Sequence, residues 1–251
     1  MAFKDHFSAQ AGHYSKFRPH YPRTLFEFLA SLAPARSRAW DCGTGSGQAA
    51  IGLAEFFSEV IATDASEKQI ANAHTHPGVR YRVAPAEASG LETASVDLVT
   101  VAQALHWFDL DKFYAEVRRV LRSGGILAAW TYDLFGITPQ VDAVVHHYYR
   151  EIVGPYWPTE RKWVEQQYRT IPFPFEERPA PTFNLTAEWE LTDLLGMLRT
   201  WSATRICLET TGSDPVLLIE ESLARAWGEP TTSRSVVWPL SLRVGEVFPG
   251  G

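Results

Sequence analysis

The sequence predicts an α/β fold built on a mostly parallel sheet with helices on both faces. Three observations carry that prediction. A glycine-rich turn, Asp41-Cys42-Gly43-Thr44-Gly45-Ser46-Gly47, joins the apolar pair Ala39-Trp40 to a helix-like run, Gln48–Phe57. Further apolar runs follow it, separated by stretches with helical spacing, the alternation expected of βαβ units. Finally, 251 residues with 45% hydrophobic content suit one α/β domain able to bury a large core. A single domain over 1–251 is expected, with an amino-terminal cap segment at 1–34 and an insertion at 133–200.

The elements read in order as follows. Strand one ends at the glycine turn, where residues without a Cβ can take positive φ and expose bare backbone. The helix that starts at Gln48 leaves N–H groups free to hold a polar or anionic group. Glu59–Asp64 is a buried-strand run ending in an acid. Asp64 or Ser66 caps the helix Glu67–Ala73, with Ser66 the preferred cap. Val79–Ala84 reads as strand three and Ser95–Val101 as strand four. Asp109 caps a helix running to Leu121, which Ser123-Gly124-Gly125 stops. Ile126–Trp130 is strand five. Beyond it, Gln140–Arg150 and Glu160–Arg169 read as helices, and Pro172-Phe173-Pro174-Phe175 as extended chain. Strand six is placed near Glu176–Leu185. Helices are expected at Glu190–Arg199 and Asp214–Trp227, and a last strand at Ser235–Val244, where Pro239 implies a bulge or an unpaired position.

The glycine turn points to a nucleotide-like cofactor. A dinucleotide site wants G-x-G-x-x-G. Here Gln48 stands where the third glycine of that pattern belongs, and Asp41 precedes the first glycine by two residues. A carboxylate there repels a pyrophosphate and attracts an ammonium. Asp64 lies about twenty residues beyond the turn, where an acid can accept both hydroxyls of a ribose; the competing role is helix capping.

The pattern D-x-G-x-G-x-G resembles motif I of the class I S-adenosylmethionine (SAM)-dependent methyltransferases. Val120-Leu121-Arg122-Ser123-Gly124-Gly125-Ile126-Leu127 is similar to the approach to strand five in that family. Tyr14-Ser15-Lys16-Phe17-Arg18-Pro19-His20-Tyr21-Pro22, the turn Gln103–Asp109 and the tail Trp238–Gly245 resemble one branch of the methyltransferase type 11 group, which includes trans-aconitate methyltransferase-like and yeast lipid-methyltransferase-like proteins. The resemblance implies a Rossmann-like class I methyltransferase fold: a seven-stranded, mostly parallel sheet, an antiparallel last strand, and a helical insertion after strand five. It implies SAM as cofactor, held by Tyr14, Arg18, Asp41, Gly43, Thr44, Gly45, Gly47, Asp64, Ala65, Ala86, Glu87 and Gln103. Glu87 falls beside the adenine in this scheme, or is an ordinary surface acid. Arg18 pairs with the methionyl carboxylate or an acidic substrate, or is a surface cation.

Methyl transfer from a sulfonium needs alignment and dryness more than acid catalysis, because the leaving group is neutral. A base is needed only if the nucleophile carries a proton. His106, on the turn after strand four, is the candidate base; packing or substrate orientation are its alternatives. Tyr21, Trp107, Trp130 and Tyr132 are candidate substrate contacts, Trp107 as a π surface for the cationic methyl or as core. The aromatic insertion, set over the carboxyl edge of the sheet, is a lid and substrate wall or else padding for the core. The expected reaction is methylation of a small molecule, foremost O-methylation of a carboxylate. The alternatives are an NAD(P)-dependent oxidoreductase and a SAM-binding protein without transferase activity.

Composition excludes other classes. A net charge of -6 with no basic stripe argues against nucleic acid. No stretch reaches the length of a membrane span, and the first residues lack a signal-peptide core. Cys42 and Cys207 form no disulfide framework, so a reducing, cytoplasmic setting is expected. His74-Thr75-His76 and His146-His147 lack ligand spacing, and no metal is expected. No residue signal bears on oligomeric state; a monomer is the expectation.

Overall fold

The computed structural model describes residues 20–247. Helix α1 (Arg23–Leu32) precedes β1 (Arg38–Cys42), and α2 (Gln48–Ala54) follows the glycine turn. Then come β2 (Glu59–Asp64), α3 (Glu67–Ala71), β3 (Val79–Val83), β4 (Val96–Ala102), α4 (Leu110–Val120) and β5 (Leu121–Tyr132). The sheet order is β3-β2-β1-β4-β5, all parallel, continued by an antiparallel β8 (Arg234–Glu246) beside β5.

Both faces of this sheet are covered, as a parallel sheet requires. Strand alternation sends Ala39, Val60, Ala62, Leu98, Ile126 and Ala128 to one core, shared with α1 and α2. It sends Trp40, Ile61, Val99, Val101, Leu127 and Ala129 to the other, shared with α4. Asp97 fixes the strand starts: its fully buried carboxylate accepts the N–H groups of Ser37 and Arg38 at 2.9 Å and the guanidinium of Arg122 at 2.6 Å. Those charge-assisted bonds align β1 beside β4, so their carboxyl ends reach the same edge.

The sixth strand differs from its expected single run. It is split into β6 (Glu176–Glu177) and β7 (Phe183–Trp189), both on the edge of β8 opposite β5, giving eight strands by count. Pro179 and Pro181 lie in the gap; they lack the N–H that a ladder needs. Pro239 does sit within β8, opposite Asn184.

Between β5 and β8 the chain is mostly helical. Helix α5 (Pro139–His147) runs into a π-turn, Tyr148–Ile152, rather than continuing regularly to Arg150. The helix expected over Glu160–Arg169 is only α6 (Arg161–Glu165), because Gln167 and Tyr168 take left-handed conformations, φ 56° and 59°. Helix α7 (Leu191–Arg199) matches its expected span, and Pro215–Leu218 forms a 3₁₀ turn before α9 (Glu220–Trp227). Helix α8 (Ser202–Thr211) is new relative to the sequence reading. Its β-branched residues are poor helix formers, and Thr210 and Thr211 return their hydroxyls to the carbonyls of Ile206 and Cys207. Gly212, at φ 73°, ends it by donating to Leu208 O at 2.8 Å.

Candidate active site

The site lies over the carboxyl edge of the sheet, and its first half is the glycine turn. Gly43, Gly45 and Gly47 have φ of 68°, 54° and 88°. A Cβ at Gly43 would stand 2.6 Å from Ala104 Cβ, and one at Gly47 would stand 2.1 Å from Tyr81 Oη. Those two glycines permit close packing. Gly45 is different: among the described residues nothing lies within 4 Å of where its Cβ would be, so bare backbone is left uncovered by them. Asp64, half-buried at the end of β2, accepts Gly45 N–H at Oδ2 and Ser66 N–H at Oδ1, both 2.9 Å. Ser66 caps α3 by accepting from Gln69 N–H at 3.3 Å. An extended backbone cradle with an acid at its rim fits the amino-acid and ribose portions of SAM.

Asp41 occupies the floor of this cradle. It is fully buried and accepts from Thr44 Oγ1 at 2.5 Å and Thr100 Oγ1 at 2.8 Å. Burial pushes its pKa up to about 6, against the pull of those two hydroxyls. The carboxylate is thus enclosed beneath the turn and does not stand open to an ammonium. Ala65 is exposed after β2; beyond β3, Ala86 is buried and Glu87 accepts Asp109 N–H at 2.9 Å. Tyr14 and Arg18 lie outside the described residues.

Gln103 forms the seam between the two halves. It is non-glycine yet left-handed, φ 56°, just past β4. Its side-chain amide donates to Tyr132 O at 2.7 Å, and its oxygen accepts from Thr131 Oγ1 at 2.5 Å. Both amide groups are therefore committed to β5, which sets the backbone turn that delivers His106.

The second half is a cavity of about 130 Å³ adjoining Gln103, His106, Trp107 and Tyr132. Its outer wall comes from the helical segment, including Trp157, Arg161, Trp201 and Arg205. Arg161 is committed: it pairs with Asp133, donates Nε to Tyr149 Oη at 2.8 Å, and lies 4.7 Å over the Trp157 ring. Arg205 is less engaged. Among the described residues its buried Nε makes no hydrogen bond, and it forms an ion pair at 3.5 Å with the mostly exposed carboxylate of Glu209. Two guanidiniums and one carboxylate, Asp133, line the cavity; Asp133 pairs with Arg161, and the partner of Arg205, Glu209, lies outside the lining.

His106 lies between Trp107, ring centroids 4.8 Å apart, and Tyr168, whose hydroxyl is 2.7 Å from Nδ1. Burial, aided by the Arg161 charge, pushes the imidazole pKa down to about 3. The ring is therefore neutral throughout the physiological range, a finding that departs from the near-neutral titration expected of a base. Tyr132 and Trp107 line the cavity. Trp130 does not: it is fully buried, with Tyr21 edge-on at 5.4 Å.

Sequence reasoning did not single out Asp133, Arg161, Tyr168 or Arg205. Only the aromatic density of the insertion signalled a wall there; the charged residues that line it belong to no motif. Among the described residues, no cluster of three or more His, Cys, Asp or Glu could hold a metal, and no helix is long and apolar enough to cross a membrane.

Comparisons with known proteins agree with this geometry. A family model described as a methyltransferase domain, of the type 11 group, matches residues 40–129, from β1 to β5. A candidate methyltransferase of Dictyostelium discoideum is 39% identical over 229 residues, covering 90% of this chain and 87% of that one. The SAM-dependent methyltransferase candidate CRG1 of Saccharomyces cerevisiae is 33% identical over 132 residues, covering 49% of this chain and 45% of that one. The solved structure of a candidate type II methyltransferase from Anaeromyxobacter dehalogenans superposes with a TM-score of 0.88 at 51% identity, covering 92% of this chain and 99% of that chain. These relationships set aside the oxidoreductase alternative, and the chain belongs to the type 11 group of class I SAM-dependent methyltransferases, with SAM as its cofactor.

Proposed function

We propose that the enzyme methylates a compact small molecule on a carboxylate oxygen. The observation that carries this reading is the cavity beside His106, with its aromatic walls, two guanidiniums and neutral imidazole. Its volume of about 130 Å³ equals the liquid share of about four waters, room for a small organic acid. Arg205 supplies charge for the carboxylate, and Trp157 and Trp201 supply apolar surface.

When bound, SAM supplies a sulfonium methyl: the carboxylate oxygen gains the O–CH₃ bond as the S–CH₃ pair passes to sulfur, leaving a neutral ester and thioether with no proton moved. The chain's own residues bind, align and dry the reactants. In this scheme Gly43, Thr44, Gly45 and Gly47 hold the amino-acid moiety on backbone. Asp41 contributes negative potential from beneath the turn. Asp64 and Ala65 meet the ribose, Ala86 and Glu87 the adenine, and Gln103 holds the seam. Tyr14 and Arg18 close the amino-terminal side, and Trp107 and Tyr132 border the acceptor; Tyr21, expected there too, instead packs on Phe26 and the buried Trp130 and is not among the residues that line the cavity.

The test is a methyl-transfer screen with labelled SAM over small acids, phenols, amines and lipids. Label is expected in base-labile methyl esters of acids. Label confined to ethers, methylamines or a macromolecule would reject the reading.

A further inference from the structure

We propose that Tyr168 fixes His106 as its Nε2–H tautomer, so that the ring gives a hydrogen bond to an acceptor carboxylate instead of taking a proton from a hydroxyl or amine. This deepens the carboxylate reading and rests on it. Tyr168 is a positioning residue that acts through His106.

The argument is a count of protons. Tyr168 is fully buried, and burial raises its pKa, so the phenol keeps its proton. A buried O–H without an acceptor costs about 1–3 kcal/mol. His106 Nδ1, at 2.7 Å, is the partner that stands in hydrogen-bond geometry to it. Thr131 Oγ1 is the other side-chain group near the phenol, but the contact of Tyr168 Oη that has hydrogen-bond geometry is the one to His106, and the nearby backbone N–H groups of Leu105 and His106 can only donate to the phenol. Nδ1 therefore accepts, and a neutral imidazole carries its single proton on the other nitrogen. The ring is neutral, as its burial and Arg161 require. Nε2 then presents N–H and no lone pair.

Tyr168 cannot easily turn away. Gln167 and Tyr168 form a left-handed corner. Arg243, on β8, pins that corner by donating Nη1 to Tyr168 O at 2.9 Å and to Ile171 O at 2.6 Å. The same guanidinium pairs with Glu177 at 2.6 Å and lies 4.5 Å over the Phe173 ring. The sheet thus holds the corner, and the corner holds the imidazole. A protonated nucleophile would find no base at this nitrogen, whereas a carboxylate needs none and gains a donor beside Arg205.

Long-range proton–nitrogen spectra of the full chain, labelled at histidine nitrogen, test this directly; the signal missing in His106→Gln assigns His106. The expected result at neutral pH is a bare Nδ1 and a protonated Nε2, becoming a mixture of tautomers in Tyr168→Phe. A proton on Nδ1 in the unmodified protein, or an imidazolium, overturns the proposal. In the transfer screen, methyl ether or methylamine products overturn it as well. Calorimetry with S-adenosylhomocysteine separates the two levels: a reversed tautomer leaves the heat of binding intact, whereas loss of that heat indicts the cofactor cleft and leaves the tautomer unaffected.

Discussion

Asp41, proposed to lend the cofactor site its negative potential, is a charge that the fold resists. Its carboxyl keeps a proton to about pH 6 when folded, but releases it near 3.8 when unfolded. Between those values the native state binds more protons, so stability falls as pH rises from about 4 to 6 and stays lowered above that window. The difference of about two pKa units corresponds to about 3 kcal/mol. Asp41→Asn keeps the size and polarity of the protonated acid and removes the titration. Urea midpoints compared across pH 4 to 8 are expected to show the variant gaining up to about 3 kcal/mol on the wild type over the window. A difference that stays flat with pH would mean that Asp41 is ionised at ordinary pKa. The gain in stability should come with weaker S-adenosylhomocysteine binding, because an amide offers an ammonium no charge.

At the scale of elements, the parallel half of the sheet was readable because each strand is an apolar run buried on both sides, and each turn carries glycine, proline or a capping acid. Asp109 and Ser66 cap their helices as expected. What escaped was set by distant partners. Helix α8 has weak local signals and forms because it packs Ala203, Thr204 and Cys207 into the core. The corner at Gln167 and Tyr168 interrupts a run with helical composition, and Arg243, more than seventy residues away, holds it. Likewise, no local pattern reveals that Arg205 reaches the cavity wall or that Gln103 is left-handed. This account of the corner gives a measurable consequence. Gln167 is exposed yet left-handed, a conformation that costs a non-glycine residue about 1–2 kcal/mol. Glycine avoids that cost but loses about 0.5–1 kcal/mol to unfolded-chain entropy. Gln167→Gly is therefore expected to raise stability by up to about 1 kcal/mol, read as a higher thermal midpoint with transferase activity retained. A lowered midpoint would show that the side chain, not the backbone, matters there.

Across the whole molecule, the two halves of the site come from different parts of the chain. The proposed cofactor cradle is local in sequence, spanning Asp41 to Gln103, so short motifs are enough to nominate its residues. The cavity proposed for the acceptor gathers residues from Gln103 to Trp238, and of these the sequence motifs nominate only His106, Trp107, Tyr132 and Gln103. Such a division lets one half vary without disturbing the other, since residues that share no partners contribute nearly independently. Two substitutions put that separation to the test. Gly45→Val places a branched side chain at φ 54°, over the open backbone expected to carry the methionyl group. Arg205→Met keeps the bulk of the side chain and removes the charge from the cavity. Calorimetry with S-adenosylhomocysteine should lose its heat in Gly45→Val and stay within about twofold of wild type in Arg205→Met, because no cofactor contact is touched. In transfer assays with an acid from the screen, Arg205→Met should raise the acceptor KM by about tenfold or more, the loss of one charge-assisted hydrogen bond worth about 1.5–3 kcal/mol. Equal loss of cofactor binding in both variants would mean that cradle and cavity are one coupled unit, and the assignment of the cavity to the acceptor would fall with it.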